Sequence, residues 1–142
     1  MPEIQKIRLA IVSRMTDPDG KKQEIRSMYK GTLEQISDGI RLRYTDTQND
    51  ERADVTLDVA PERAQMLRRG MTSARLPFLS GQRTNGRYTT LYGEIPVSVL
   101  THALQADWSS REHGSLTVRY ALFVSGDKTA DTELTIRWKA EA

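Results

Sequence analysis

Apolar residues recur at every second position over most of the chain, the period of a β-strand with one face turned to a core. Ile7, Leu9 and Ile11 alternate with Arg8, Ala10 and Val12, and Ile40, Leu42 and Tyr44 alternate with Arg41, Arg43 and Thr45. Ile25, Tyr29 and Leu33 share one phase, as do Val55, Leu57 and Val59. Near the C-terminus the same rule gathers Leu116, Val118, Tyr120 and Leu122, then Leu134, Ile136 and Trp138. One apolar and one charged face per run is the signature of antiparallel sheets with water on one side. The breaks carry turn chemistry: DPDGKK at 17–22, SDG at 37–39, QNDER at 48–52, REHG at 111–114 and SGDKTAD at 125–131. Short reversals between successive runs predict an all-β antiparallel meander of about eight to ten strands. Closing that meander into a barrel would remove its edges.

Two segments resist the period. PERAQMLRRG at 61–70 begins with Pro, ends with Gly and is rich in helix formers, so propensity leaves helix and strand equally open. VLTHALQADW at 99–108 is similarly ambiguous. With 142 residues and no linker, repeat or low-complexity tract, residues 1–142 are expected to form one domain.

Composition narrows the chemistry. The chain has no Cys, which excludes disulfides, thiolate metal sites and thiol nucleophiles, and fits a cytoplasmic location. The N-terminal stretch lacks the continuous apolar run of a signal peptide, and no segment has the length of a membrane span. The pI near 9.0 invites a nucleic-acid partner, but 21 basic against 19 acidic residues leave a net charge of only +2.

The stretch GQRTNGRY at 81–88 has the glycine spacing of a phosphate-binding loop. Arg87 stands where that loop needs Lys, Tyr88 where it needs a magnesium-binding hydroxyl, and the following RYTTLYG is strand chemistry. Asn85-Gly86 is instead the preferred pair of a two-residue type I′ hairpin, and a turn is expected there. His102 and His113 have no ligand partner at metal-binding spacing, and DPDG lacks the rest of a calcium loop. No nucleophile elbow is present, and nothing brings Glu94 and Asp107 together as an acid–base pair. No catalytic residue, metal or cofactor is therefore expected.

Two clusters remain. Residues 66–95 concentrate Arg68, Arg69, Arg75, Phe78, Arg83, Arg87, Tyr88 and Tyr92, with Tyr88, Thr90 and Tyr92 in one strand phase. Facing inward, they would offer an aromatic surface with hydroxyl handles; filling the core is the plainer role. The outer face of strands 1–3 gathers Lys6, Arg8, Arg14, Arg26, Lys30, Arg41 and Arg43, interrupted by Glu24 and Glu34. Such a stripe is able to follow a phosphate backbone, though a solvated charged face is commoner.

MLRRG, LPFLSGQRTNGRYTTLYGEIPV, GSLTVRYALFVSG and TELTIRW, in that order, resemble the YwiB-like family of small bacterial proteins. The matching positions are Arg68, Gly70, Phe78, Gly81, Tyr88, Thr90, Tyr92 and Gly93. The resemblance implies a calycin-type, lipocalin-like β-barrel, makes 61–70 a strand and supplies no reaction. The expected function is a non-enzymatic barrel that binds a small, anionic or aromatic ligand inside, with Arg68, Phe78, Tyr88 and Tyr92 as its lining. The alternative is a protein- or nucleic-acid-interaction module that uses the basic outer face.

Overall fold

A computed structural model describes residues 3–47, 51–110 and 112–141. Ten strands follow one another: β1 (Ile4–Thr16), β2 (Lys22–Ile36), β3 (Gly39–Asp46), β4 (Ala53–Ala60), β5 (Arg63–Arg69), β6 (Ser73–Leu79), β7 (Arg83–Thr90), β8 (Gly93–Asp107), β9 (His113–Val124) and β10 (Asp127–Ala140). Each pairs antiparallel with its neighbours in sequence, and β1 pairs with β10, so the sheet closes on itself as a barrel. Closure satisfies both edges, which a meander of this length otherwise leaves open to other chains.

Every alternation in the sequence turns its apolar phase inward. Ile7, Leu9, Ile40, Leu42, Leu57, Val59, Val99, Leu116, Val118 and Ile136 are buried in one continuous core. The charged phases point out, the reverse of the apolar outer band that a lipid-facing barrel presents. Among the described residues no helix is long and apolar enough to cross a membrane.

Segment 61–70 forms a strand over Arg63–Arg69, as the resemblance implied and propensity left open. Residues of β5 alternate between the barrel interior (Ala64, Met66, Arg68) and its surface, and pair with β4 on one side and β6 on the other. Two ladders of backbone hydrogen bonds outweigh the modest helix preference of Ala, Gln, Met and Leu. The 99–108 segment is likewise strand, the second half of β8.

The reversal near residue 85 lies elsewhere than expected. Asn85 and Gly86 sit inside β7, opposite Ser98 and Val97. The chain turns instead at 80–82, where Gly81 has φ +76° and Gln82 N donates to Leu79 O. Gly86 serves close approach: a Cβ there would lie 2.4 Å from the Arg75 carbonyl oxygen. The dipeptide signal cannot tell these two uses of glycine apart. A turn with the type I′ character expected at Asn85-Gly86 occurs at Ser125-Gly126, whose φ angles are +51° and +90°.

The DPDGKK turn is closed by Asp17, whose Oδ1 accepts from the backbone N–H groups of Asp19 and Lys21. That is turn chemistry, with no calcium-loop geometry. Residues 48–50 of the QNDER turn lie outside the described residues.

Candidate functional site

The interior differs along its length. Across its middle the inward side chains are sealed from water, and Phe78 there is 2% exposed and packs against Tyr120 with ring centroids 4.9 Å apart. Toward the end bearing the turns 17–21, 70–72, 91–92 and 125–126, inward residues become partly exposed. Ile11, Tyr29, Tyr44, Met66, Tyr88, Tyr120, Leu122 and Val124 all contact the core yet keep some access to solvent. Since their side chains face in, that access comes through the mouth of the barrel. At the opposite end Leu33, Ala106 and Trp108 have partial exposure.

Polar residues interrupt the inward phase around this mouth. Asp46 follows Tyr44 in phase on β3, and Arg68 follows Met66 on β5. Arg68 Nη1 donates to Asp46 Oδ2 at 2.8 Å, and Tyr29 Oη donates to Asp46 Oδ1 at 3.1 Å. Tyr29 stacks on Tyr44 with centroids 4.6 Å apart, so the ion pair and the two rings form one connected group. Across β6, Arg68 and Tyr88 both stand opposite Ala74, which puts them two strand spacings, roughly 9–10 Å, apart. Ala74 contributes only a methyl group between them and is itself partly exposed.

Deeper in, Thr101, Tyr120 and Thr132 lie opposite one another on β8, β9 and β10. Thr101 is fully buried and its Oγ1 has no hydrogen-bond partner among the described residues. A buried hydroxyl left unpaired costs on the order of 1–3 kcal/mol, so it marks a place where a polar atom is wanted.

Burial raises the pKa values of Tyr29, Tyr44 and Tyr88 above the ordinary value of 10.0, and raises that of Tyr120 to about 12. These hydroxyls therefore stay protonated and able to donate at any physiological pH. For Tyr120 the stabilising contribution is complete below pH 10.0 and is lost as pH rises through about 12, because the unfolded chain ionises first. Alkaline titration followed by tyrosinate absorbance and circular dichroism is expected to show late ionisation coupled to unfolding in that window. Complete ionisation at the ordinary value with the fold intact would contradict it.

The four expected lining residues are thus separated. Arg68 and Tyr88 share the mouth, and Phe78 is inside but sealed in the core. Tyr92 is excluded: it is 98% exposed, because β7 ends at Thr90 and Leu91-Tyr92 form the two-residue reversal into β8. The alternation that put Tyr92 in phase with Tyr88 stops two residues short of it. Asp46, Tyr29, Tyr44, Thr101 and Thr132 were not selected from sequence. Their signal was a polar group on an otherwise apolar strand phase.

The outer cations of β1–β3 are largely neutralised. Arg14 pairs with Glu24 at 2.7 Å and Glu133 at 3.3 Å, Arg26 with Glu24, Arg41 with Asp58 at 2.6 Å, and Arg43 with Glu34. Hydrogen bonds from Arg14 and Arg26 hold the Glu24 carboxyl below its usual value. His102 is the extra residue where the β8–β9 register shifts between Thr101 and Ala103, and it faces solvent. Glu94 and Asp107 lie near opposite ends of the 15-residue β8, too far apart to act together. Among the described residues no cluster of His, Asp or Glu could hold a metal ion.

Residues 9–136 match the family model described as "Domain of unknown function (DUF1934)". The chain belongs to the DUF1934 family. Among solved structures, the crystal structure of the ywiB protein from Bacillus subtilis superposes with a TM-score of 0.89 at 20% sequence identity, covering 99% of this chain and 96% of that one. This agrees with the YwiB-like resemblance and establishes the fold of this DUF1934 protein, without carrying an activity. No curated protein matches the chain.

Proposed function

We propose that this DUF1934 protein binds a small ligand through the open mouth of its barrel, with the body of the ligand between Arg68 and Tyr88. The observation that carries this reading is the partial exposure of inward-facing aromatic residues near Arg68, with only the small Ala74 side chain between Arg68 and Tyr88. Tyr88 and Tyr120 provide ring surface and protonated hydroxyls, while Arg68 has donors beyond the one given to Asp46. A ring carrying an acceptor such as a carboxylate suits this combination. Asp46 already neutralises part of the Arg68 charge, which favours a modest anion over a highly charged one. The interaction-module alternative, through the outer face of β1–β3, loses support because its arginines are tied to carboxylates on neighbouring strands.

Native mass spectrometry of freshly purified protein is expected to reveal a retained small molecule. Titration with benzoate and salicylate, followed by NMR, is expected to shift the resonances of Tyr88 and Tyr120. Arg68→Ala and Tyr88→Ala are each expected to weaken that binding by about ten- to a hundred-fold, the value of one charge-assisted or aromatic contact. Absence of a retained molecule together with no response at Tyr88 or Tyr120 would rule the reading out.

A further inference from the structure

The outer surface of β5–β7 carries positive charge of a different kind from that on β1–β3. Leu67, Arg75 and Arg87 stand directly opposite one another on three adjacent strands, and Arg69 lies two residues beyond Leu67 on the same outward phase. The three arginines are exposed and line one open pocket of about 360 Å³, together with Leu67, Arg68 and Ala74. Their compensation is slight. Arg87 meets Glu94 at 3.5 Å, but both side chains are more than 60% exposed, so the pair is worth little. Arg75 Nε donates to the neutral Gln65 side chain at 3.3 Å. Arg69 stands opposite Asp54 on β4 but forms no ion pair among the described residues. A chain of net charge +2 thus concentrates three lightly compensated guanidinium groups in one pocket.

We propose that the outward-facing arginines of this pocket bind a phosphoryl-type oxyanion, at a site that adjoins the barrel mouth at Arg68 and Ala74. Guanidinium forks match the oxygen pairs of a tetrahedral anion, and three of them supply both charge and directed donors. Leu67 gives the attached group an apolar surface. The pocket continues over Leu67 and Arg69 into a groove of about 690 Å³ across β2–β5, where Arg41 and Arg43 are occupied by Asp58 and Glu34. The three clustered guanidinium groups fit a small phosphate ester better than a long polymer.

Isothermal titration with inorganic pyrophosphate and with a single-stranded RNA oligonucleotide, at low ionic strength, tests this. Saturable pyrophosphate binding that Arg69→Ala, Arg75→Ala and Arg87→Ala each weaken by about ten-fold or more supports the proposal. Arg26→Ala, on the exposed and carboxylate-paired β2 face, is expected to leave binding unchanged. Tight oligonucleotide binding sensitive to the same three substitutions, and falling steeply with salt, also supports the site and assigns its phosphates to a nucleic-acid backbone. No saturable binding of either probe, or equal weakening by Arg26→Ala, overturns it. Because all four side chains are exposed, circular dichroism of the variants is expected to match the parent.

Discussion

Replacing Phe78 by alanine is expected to remove about 3–5 kcal/mol of folding stability, the usual cost of emptying an aromatic site in a packed core. Phe78 is 2% exposed, stands opposite Ala64 on β5 and packs its ring against Tyr120 at 4.9 Å. Ala64 has no side chain long enough to close the resulting space, so the cavity would persist and Tyr120 would lose its tilted partner. Urea denaturation is expected to show a lower midpoint with an unchanged slope, since the fold and its buried area are otherwise the same. Tyr88→Ala should cost distinctly less, because that ring already has solvent beside it. The contrast separates the sealed core from the mouth. A similar loss at both positions would mean that Tyr88 is core as well, and would remove the opening on which ligand entry depends.

The same contrast explains what the sequence made legible. Inward and outward phases were readable because alternation is a local property: each run from Ile7 to Trp138 turned its apolar side in. Where a run ends is less local. Thr90 and Tyr92 have the same phase as Tyr88, but the pairing of Thr90 with Gly93 makes Leu91-Tyr92 a turn and puts Tyr92 in water. Asn85-Gly86 misled for a related reason, since Gly86 yields space to the Arg75 carbonyl of the adjacent strand.

Charge balance was still further from view. Arg14 is compensated by Glu133, which is 119 residues away in sequence, and Arg41 by Asp58 through strand register. Only the closed pairing order reveals that the arginines of β1–β3 meet carboxylates on neighbouring strands, whereas Arg69 and Arg75 meet none among the described residues. Arg68 lies on the inward phase of β5, but its partner Asp46 becomes visible only once β3, β4 and β5 are laid side by side.

Thr101→Val is expected to stabilise the ligand-free barrel by about 1–2 kcal/mol. The hydroxyl is fully buried, its Oγ1 has no partner among the described residues, and its desolvation is not repaid by any hydrogen bond. Valine keeps the branched shape and the β-preference while removing the unpaired oxygen, so the packing against neighbouring strands is retained. The backbone is unaffected in principle, because Thr101 N already donates to Gln82 O and Thr101 O accepts from Gly81 N. Thr101→Ser provides the complement: it keeps the hydroxyl, loses the methyl group and should destabilise. Paired urea curves for the two variants decide the sign. If Thr101→Val instead lowers stability, the hydroxyl already has a partner in solution, such as a bound water or a retained ligand. Adding the ligand that occupies the mouth then becomes the sharper measurement. A molecule that reaches past Tyr88 to Thr101 should protect the parent more than the valine variant, whereas one held only by Arg68 and Tyr88 should protect both equally.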